Sequence, residues 1–174
     1  MLDVSVSYNR YRFLGYEYLT WLWFLIENGQ DEIKKLEREP LSLEIGNRIV
    51  LENRQKDTVE SITIKGDDAN LEEGILALRK GAVVSELNLW YKASDQEWRF
   101  TIKAESLHIV SLKCPATGSV ESKEDLEGAV LEKAYLCEKA IQLTDSLFRQ
   151  FITLRVSDDW NKKVIPRIRK WISS

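Results

Sequence analysis

Residues 83–113 read VVSELNLWYKASDQEWRFTIKAESLHIVSLK, and this stretch decides the fold class. Leu87, Leu89 and Tyr91 alternate with polar residues, and Trp98, Phe100 and Ile102 do the same. A period of two marks strands with one face against a core. The pattern predicts strands over Val83–Lys92, Glu97–Lys103 and Ser106–Lys113, linked at Ser94-Asp95-Gln96 and Ala104-Glu105. Links this short join antiparallel neighbours, because a parallel crossover needs a dozen residues or more.

Upstream, Leu41, Leu43 and Ile45 alternate, Gly46-Asn47 reads as a tight turn, and Ile49 and Leu51 resume the alternation. That is a hairpin pattern. A third strand follows over Thr58–Lys65, ended by Gly66-Asp67-Asp68. Between the two strand groups, Asn70–Lys80 reads as a helix with Leu71, Ile75 and Leu78 on one face and Gly81 closing it. Ahead of the strands, Arg12–Asn28 is apolar nearly all round, so this helix should be buried on most sides. Gly29 suits its C-cap, and Asp31–Glu39 forms a further charged turn before Pro40.

After a loop over Pro115–Lys123, Ser122 and Asp125 form a capping pair for a long helix. That helix runs from Leu126 or Ala129 to Thr153, with Val130, Ala134, Cys137, Ile141, Thr144, Phe148 and Phe151 at inward spacing. Ser157 caps a final helix, Asp158–Ile172, whose apolar stripe is Trp160, Val164, Ile168 and Trp171. Pro166 kinks this helix or splits it, taking the first position of a new one. The expected architecture is α+β in one domain spanning 1–174. Two antiparallel meanders of about three strands each pack with an apolar N-terminal helix and a long C-terminal helical pair.

The chain has 174 residues, 44% apolar and 30% charged, ordinary for a soluble globular domain. Met1–Asn9 lacks the layout of a secretory signal. Leu14–Ile26 contains Glu17 and Thr20 and is too short to span a bilayer, so no membrane role is expected. Two cysteines and one histidine leave little material for a zinc or iron–sulfur site, and neither metal nor cofactor is expected. Cys114 and Cys137 offer the material for one disulfide, but they read as reduced thiols in a cytoplasmic protein.

No GxxxxGK[ST], GxGxxG or nucleophile elbow occurs, and His108 lacks partners at any interpretable spacing, so no catalytic residue is assigned. Glu17 stands among Leu14, Tyr18, Trp21 and Leu22, where an unpaired carboxylate is costly. It must reach water or pair with a base such as an arginine. The aromatic run Tyr16, Tyr18, Trp21, Trp23 and Phe24 reads as core or interface, ahead of the alternative of a base-stacking platform. Charge is uneven. Residues 149–174 hold Arg149, Arg155, Lys162, Lys163, Arg167, Arg169 and Lys170 against Asp158 and Asp159, a net +5 within a chain of net −3. This cluster is either the solvated face of an amphipathic helix or one end able to meet a polyanion.

The run Phe13-Leu14-Gly15-Tyr16-Glu17-Tyr18-Leu19-Thr20-Trp21-Leu22-Trp23-Phe24 resembles the "LGREFLTWLW" helix of RdgC-type recombination-associated proteins. Gly74-Ile75-Leu76-Ala77-Leu78-Arg79-Lys80-Gly81 is similar to that family's "ALRxGK" helix end, and Leu126–Lys133 and Leu147–Phe151 also fit. The resemblance covers the later half of the family's longer members, and Tyr16 stands where they carry a basic residue. It implies a nucleoid-associated, non-enzymatic homodimer that binds double-stranded DNA with little sequence preference. It also implies restraint of RecA-dependent recombination, with recombination proteins as possible partners. On this reading the phosphate contacts are Lys163, Arg167 and Lys170, backed by Lys162, Arg169, Arg155 and Arg149. The alternative is a homo-oligomeric interaction module using the aromatic helix around Glu17, Tyr18, Trp21 and Trp23.

Overall fold

The computed structural model describes residues 13–33, 41–55, 58–65, 68–118 and 122–174. It shows an α+β fold with one antiparallel sheet. Strands β3 (Val83–Ala93) and β4 (Gln96–Lys103) pair in the register the alternation implies. Leu87 faces Ile102, Leu89 faces Phe100 and Tyr91 faces Trp98, all six buried. Tyr91 and Trp98 stack at 4.7 Å, a cross-strand aromatic pair of the kind that fixes register.

The first predicted hairpin does not form. Leu41–Gln55 is a single 15-residue strand, β1, and Gly46-Asn47 lies in a bulge inside it. Ile45 pairs with Leu89 and Ile49 with Leu87, so Gly46, Asn47 and Arg48 all face the single residue Asn88. The Asn47 N–H donates to Asn88 Oδ1 (3.2 Å), and the Asn88 amide donates to the Phe100 carbonyl and Thr101 Oγ1. A Cβ on Gly46 would lie 1.9 Å from Asn88 Oδ1, so the glycine serves close approach rather than a turn.

With β2 (Thr58–Lys65) paired to β1, the sheet order is β2-β1-β3-β4-β5. Two meanders thus become one five-stranded sheet, joined by antiparallel β1–β3 pairing. The edge strand β5 is short, Ile109–Lys113, and pairs with β4 through Arg99–Lys113, Thr101–Val110 and Ile102–Ile109. His108, expected in this strand, is exposed in the preceding loop, where its carbonyl accepts the Lys103 N–H.

Helices cover one sheet face. Helix α1 (Phe13–Asn28) packs on β3 and β1 and buries ten residues. Its approach is close at Gly15, where a Cβ would stand 1.8 Å from the Ala104 carbonyl oxygen. A single turn, α2 (Gln30–Ile33), follows, and the rest of the predicted charged stretch, residues 34–40, lies outside the described residues. Helix α3 (Asp68–Arg79) connects β2 to β3, and Gly81 ends it at φ 93°. Of the turn expected at Asp67-Asp68, Asp67 lies outside the described residues and Asp68 opens α3.

Helix α4 (Lys123–Arg155) has 33 residues, hence about 50 Å of length. It opens on the expected capping box. Asp125 N–H donates to Ser122 Oγ (3.1 Å), and Ser122 N–H donates to Asp125 Oδ2 (2.8 Å). Its inward stripe is Leu136, Ala140, Leu143, Leu147 and Phe151. Of the predicted stripe, Phe151 is buried, whereas Val130 and Ile141 are exposed. The helix is rotated by about one residue, 100°, from the expected phase. A π turn over Trp160–Val164 leads into α5 (Ile165–Ser173), with the Ile165 N–H bonded to the Trp160 carbonyl. Pro166 sits in the first turn of α5, but the π turn runs into that helix without a break, so the missing N–H falls inside a continuous helical run, directly after the widened turn. Ser157 does not cap this segment, because its hydroxyl donates back to the Leu154 carbonyl (2.7 Å).

Candidate nucleic-acid interface

In the C-terminal segment Trp160, Val164 and Ile168 are buried; Trp160 meets Phe151 of α4 edge-on at 5.5 Å, and α5 packs on α1. Ile165, Trp171 and Ile172 are half-buried against the core, and the basic side chains point outward, with Lys162, Lys163, Arg167, Arg169 and Lys170 all exposed. This is how one short amphipathic element becomes a positive surface.

The surroundings of the seven expected phosphate contacts differ. Arg149, on α4, pairs with Asp145 at 2.7 Å. Lys162 reaches Asp158 (2.7 Å) and Lys163 reaches Asp159 (2.9 Å), both one turn away and exposed. Arg167 lies 3.8 Å from Glu32 and over the ring of Phe24 at 5.4 Å. Arg169 and Lys170 have no carboxylate partner among the described residues. Arg155 is not a free surface cation. Its Nε donates to Glu17 Oε2 at 2.6 Å, and its guanidinium lies 5.5 Å from the Trp160 ring centre. Glu17 thus has the arginine partner its apolar neighbourhood demands, and the pair is about a third exposed on each side.

The aromatic helix is core. Trp23 is fully buried, and Tyr18 and Trp21 are 2% exposed, which leaves no ring face for a base. Tyr18 meets Phe148 edge-on at 5.2 Å, and Trp23 meets Trp171 edge-on at 5.3 Å. The Tyr18 hydroxyl and the Trp23 indole N–H lack a partner among the described residues. Burial holds the Tyr18 hydroxyl protonated well above its ordinary range.

The opposite face of the sheet is also charged but compensated. Lys92 pairs with Glu44 (3.1 Å), Arg48 and Lys103 share Glu86 (3.2 and 3.4 Å), and Arg99 pairs with Glu97 (2.5 Å). Trp90 lies beneath the Arg99 guanidinium at 4.6 Å.

Two further features come from the fold, the first of them not foreseen in the sequence. A cleft of about 720 Å³ is lined by Trp23, Glu27, Glu72, Glu73, Arg79 and Trp171 among others. From its wall, Arg79 donates through Nε (3.0 Å) and Nη2 (2.8 Å) to the Ile172 carbonyl and pins the end of α5. The sulfurs of Cys114 and Cys137 lie 3.5 Å apart. Neither contact leaves a local pattern, since the partners are far apart in sequence. Glu17 lines a smaller cleft, about 430 Å³, with mainly apolar walls including Phe13, Val83, Trp160 and Ile168.

The chain matches no family model, no curated protein and no solved structure. Among the described residues, no helix is long and apolar enough to cross a membrane, and no group of three or more metal-ligating side chains gathers.

Proposed function

We propose that this chain is a non-enzymatic protein that binds the phosphate backbone of double-stranded DNA without sequence preference, in the manner of RdgC-type recombination modulators. The observation that carries the reading is the C-terminal segment. Lys162, Lys163, Arg167, Arg169 and Lys170 project from one short helical element whose apolar side is anchored in the core. The carboxylates beside Lys162, Lys163 and Arg167 do not block this role. Exposed pairs of this kind are worth about 0–1 kcal/mol and exchange readily for phosphate. Arg155 drops out of the contact set because Glu17 holds it, and Arg149 stands apart on α4.

Fluorescence anisotropy of a labelled duplex, titrated across a salt series, tests the proposal. Five phosphate contacts correspond to a slope of roughly −4.5 in log K against log salt. The triple variant Lys163→Glu, Arg167→Glu, Lys170→Glu should abolish binding with its circular dichroism unchanged. Binding that ignores salt, or survives the triple reversal, would sink the site.

A second reading has its own observation. Leu126, Val130, Leu131, Tyr135 and Ile141 are large apolar side chains exposed along α4. Such a face suits self-association into a homo-oligomer. Sedimentation velocity separates the two readings, because apolar self-association persists at salt concentrations that strip DNA.

A further inference from the structure

Cys114 directly follows the last residue of β5, and Cys137 lies on α4, 23 residues further along. Their Sγ atoms are 3.5 Å apart and both side chains are half-buried. A disulfide requires about 2.05 Å between sulfurs, so the two must close by roughly 1.5 Å, a distance within reach of small χ1 rotations and a slight backbone shift. The helix side is anchored. Leu136 is buried, and its carbonyl accepts the indole N–H of Trp98 at 2.8 Å. The strand side is free to adjust, since β5 is an edge strand of five residues with an irregular register and Ser111 at φ 56°.

We propose that Cys114 and Cys137 are a reversible disulfide site, closed by a small-molecule disulfide oxidant, that staples the edge strand β5 to α4. The chemistry is two successive exchanges. One protein thiol loses its proton to solvent, and the thiolate attacks a sulfur of the oxidant. An S–S bond breaks, a mixed disulfide forms and one oxidant thiolate leaves. The neighbouring protein thiol, deprotonated in turn, attacks the protein-side sulfur of that mixed disulfide and expels the second oxidant thiolate. The cysteine pair is oxidised by two electrons, and the oxidant is reduced to two thiols. Because the second sulfur is already in contact, the mixed disulfide is short-lived. Burial and the Cys137 sulfur push the Cys114 thiol up to about 11, against a smaller opposite pull from Lys133. Closure is therefore slow at neutral pH and quickens as the pH rises and thiolate appears.

The test uses the full chain, reduced and then incubated with oxidised glutathione, followed by intact-mass analysis, peptide mapping and thermal melting. In the wild type both thiols should vanish with no glutathione retained, and a peptide joining Cys114 to Cys137 should appear. Loop-closure arithmetic for a loop of roughly 24 residues gives a gain of about 300-fold in the folding equilibrium constant. For a chain of this size that is a rise in Tm on the order of 10 °C, reversed by dithiothreitol. Cys114→Ser and Cys137→Ser should each retain a stable glutathione adduct and show no such rise. Cys114→Ala and Cys137→Ala serve the same purpose if serine disturbs the half-buried contact. Stable mixed disulfides in the wild type, a bond between two chains, or closure without a higher Tm would overturn the proposal.

Discussion

The same substitution, Gly→Ala, should have opposite effects at two positions of this fold. At Gly15 an added Cβ would lie 1.8 Å from the carbonyl oxygen of Ala104 and 2.7 Å from its carbonyl carbon. Both are backbone atoms, so no side chain can swing aside. Restoring a contact of about 3 Å means lifting α1 from the β4–β5 connection by at least roughly 1.2 Å, a strain of the overpacking kind. The lift also loosens α1 from β3, where its fully buried residues pack. An overpacking cost at the upper end, about 3 kcal/mol, against a helix-propensity gain of about 1 kcal/mol leaves a net loss of about 2 kcal/mol. That lowers Tm by about 4–8 °C. At Gly128, on the exposed part of α4, nothing lies within 4 Å of the new methyl group. There only the propensity term acts, and Gly128→Ala should stabilise by up to about 1 kcal/mol. Urea and thermal unfolding followed by far-UV circular dichroism measure both. If Gly15→Ala melts within a degree or two of the parent, α1 does not dock as described and the packing argument fails.

Two other predictions concern polar groups in the same region. In a double-mutant cycle of Glu17→Gln and Arg155→Met, the coupling should be about 1–2 kcal/mol, between an exposed pair and a buried one; a value near zero would deny the ion pair a role in holding α1 to the end of α4. Stability should also fall at alkaline pH. The unfolded chain releases the Tyr18 proton near its ordinary value of 10.0, while burial keeps the folded chain protonated. The native state then binds more protons, so ΔG of unfolding decreases with pH, by up to about 1.4 kcal/mol per unit above pH 10. The raised Cys114 thiol acts in the same direction, with a smaller loss because that group is partly open to solvent. Tyr18→Phe should remove the tyrosine part of the slope in urea midpoints taken across this range, and an unchanged slope would assign the loss elsewhere.

Where a segment's own pattern sufficed, the sequence was readable. The apolar run of α1, the alternation of β3 and β4, and the Ser122–Asp125 box each depend on neighbours within a few residues. Gly46-Asn47 misled because a dipeptide does not reveal its partner strand. An 11-residue β3 spans both halves of β1, and Asn88 accommodates the extra residues. The stripe on α4 misled differently. Periodicity gives the width of an apolar face, whereas packing sets its phase, and Val130 and Ile141 extend that face into solvent. The basic cluster was visible by count. The removal of Arg155 from it was not, because Glu17 lies 138 residues away in sequence.

Helix α1 is covered on one side by strands and on the other by elements near the end of the chain, with Trp23 and Phe24 against Trp171. Translation makes the helix early and its cover late. About 130 residues separate Asn28 from Trp160. At typical elongation rates the ribosome takes about 7–25 s to bridge that interval. A nascent chain in this window carries Trp21, Trp23 and Phe24 with part of their final enclosure still unmade. The order of synthesis therefore runs against the order of burial, and a ribosome stalled before the last helix would present a tryptophan-rich surface to chaperones and to other nascent chains.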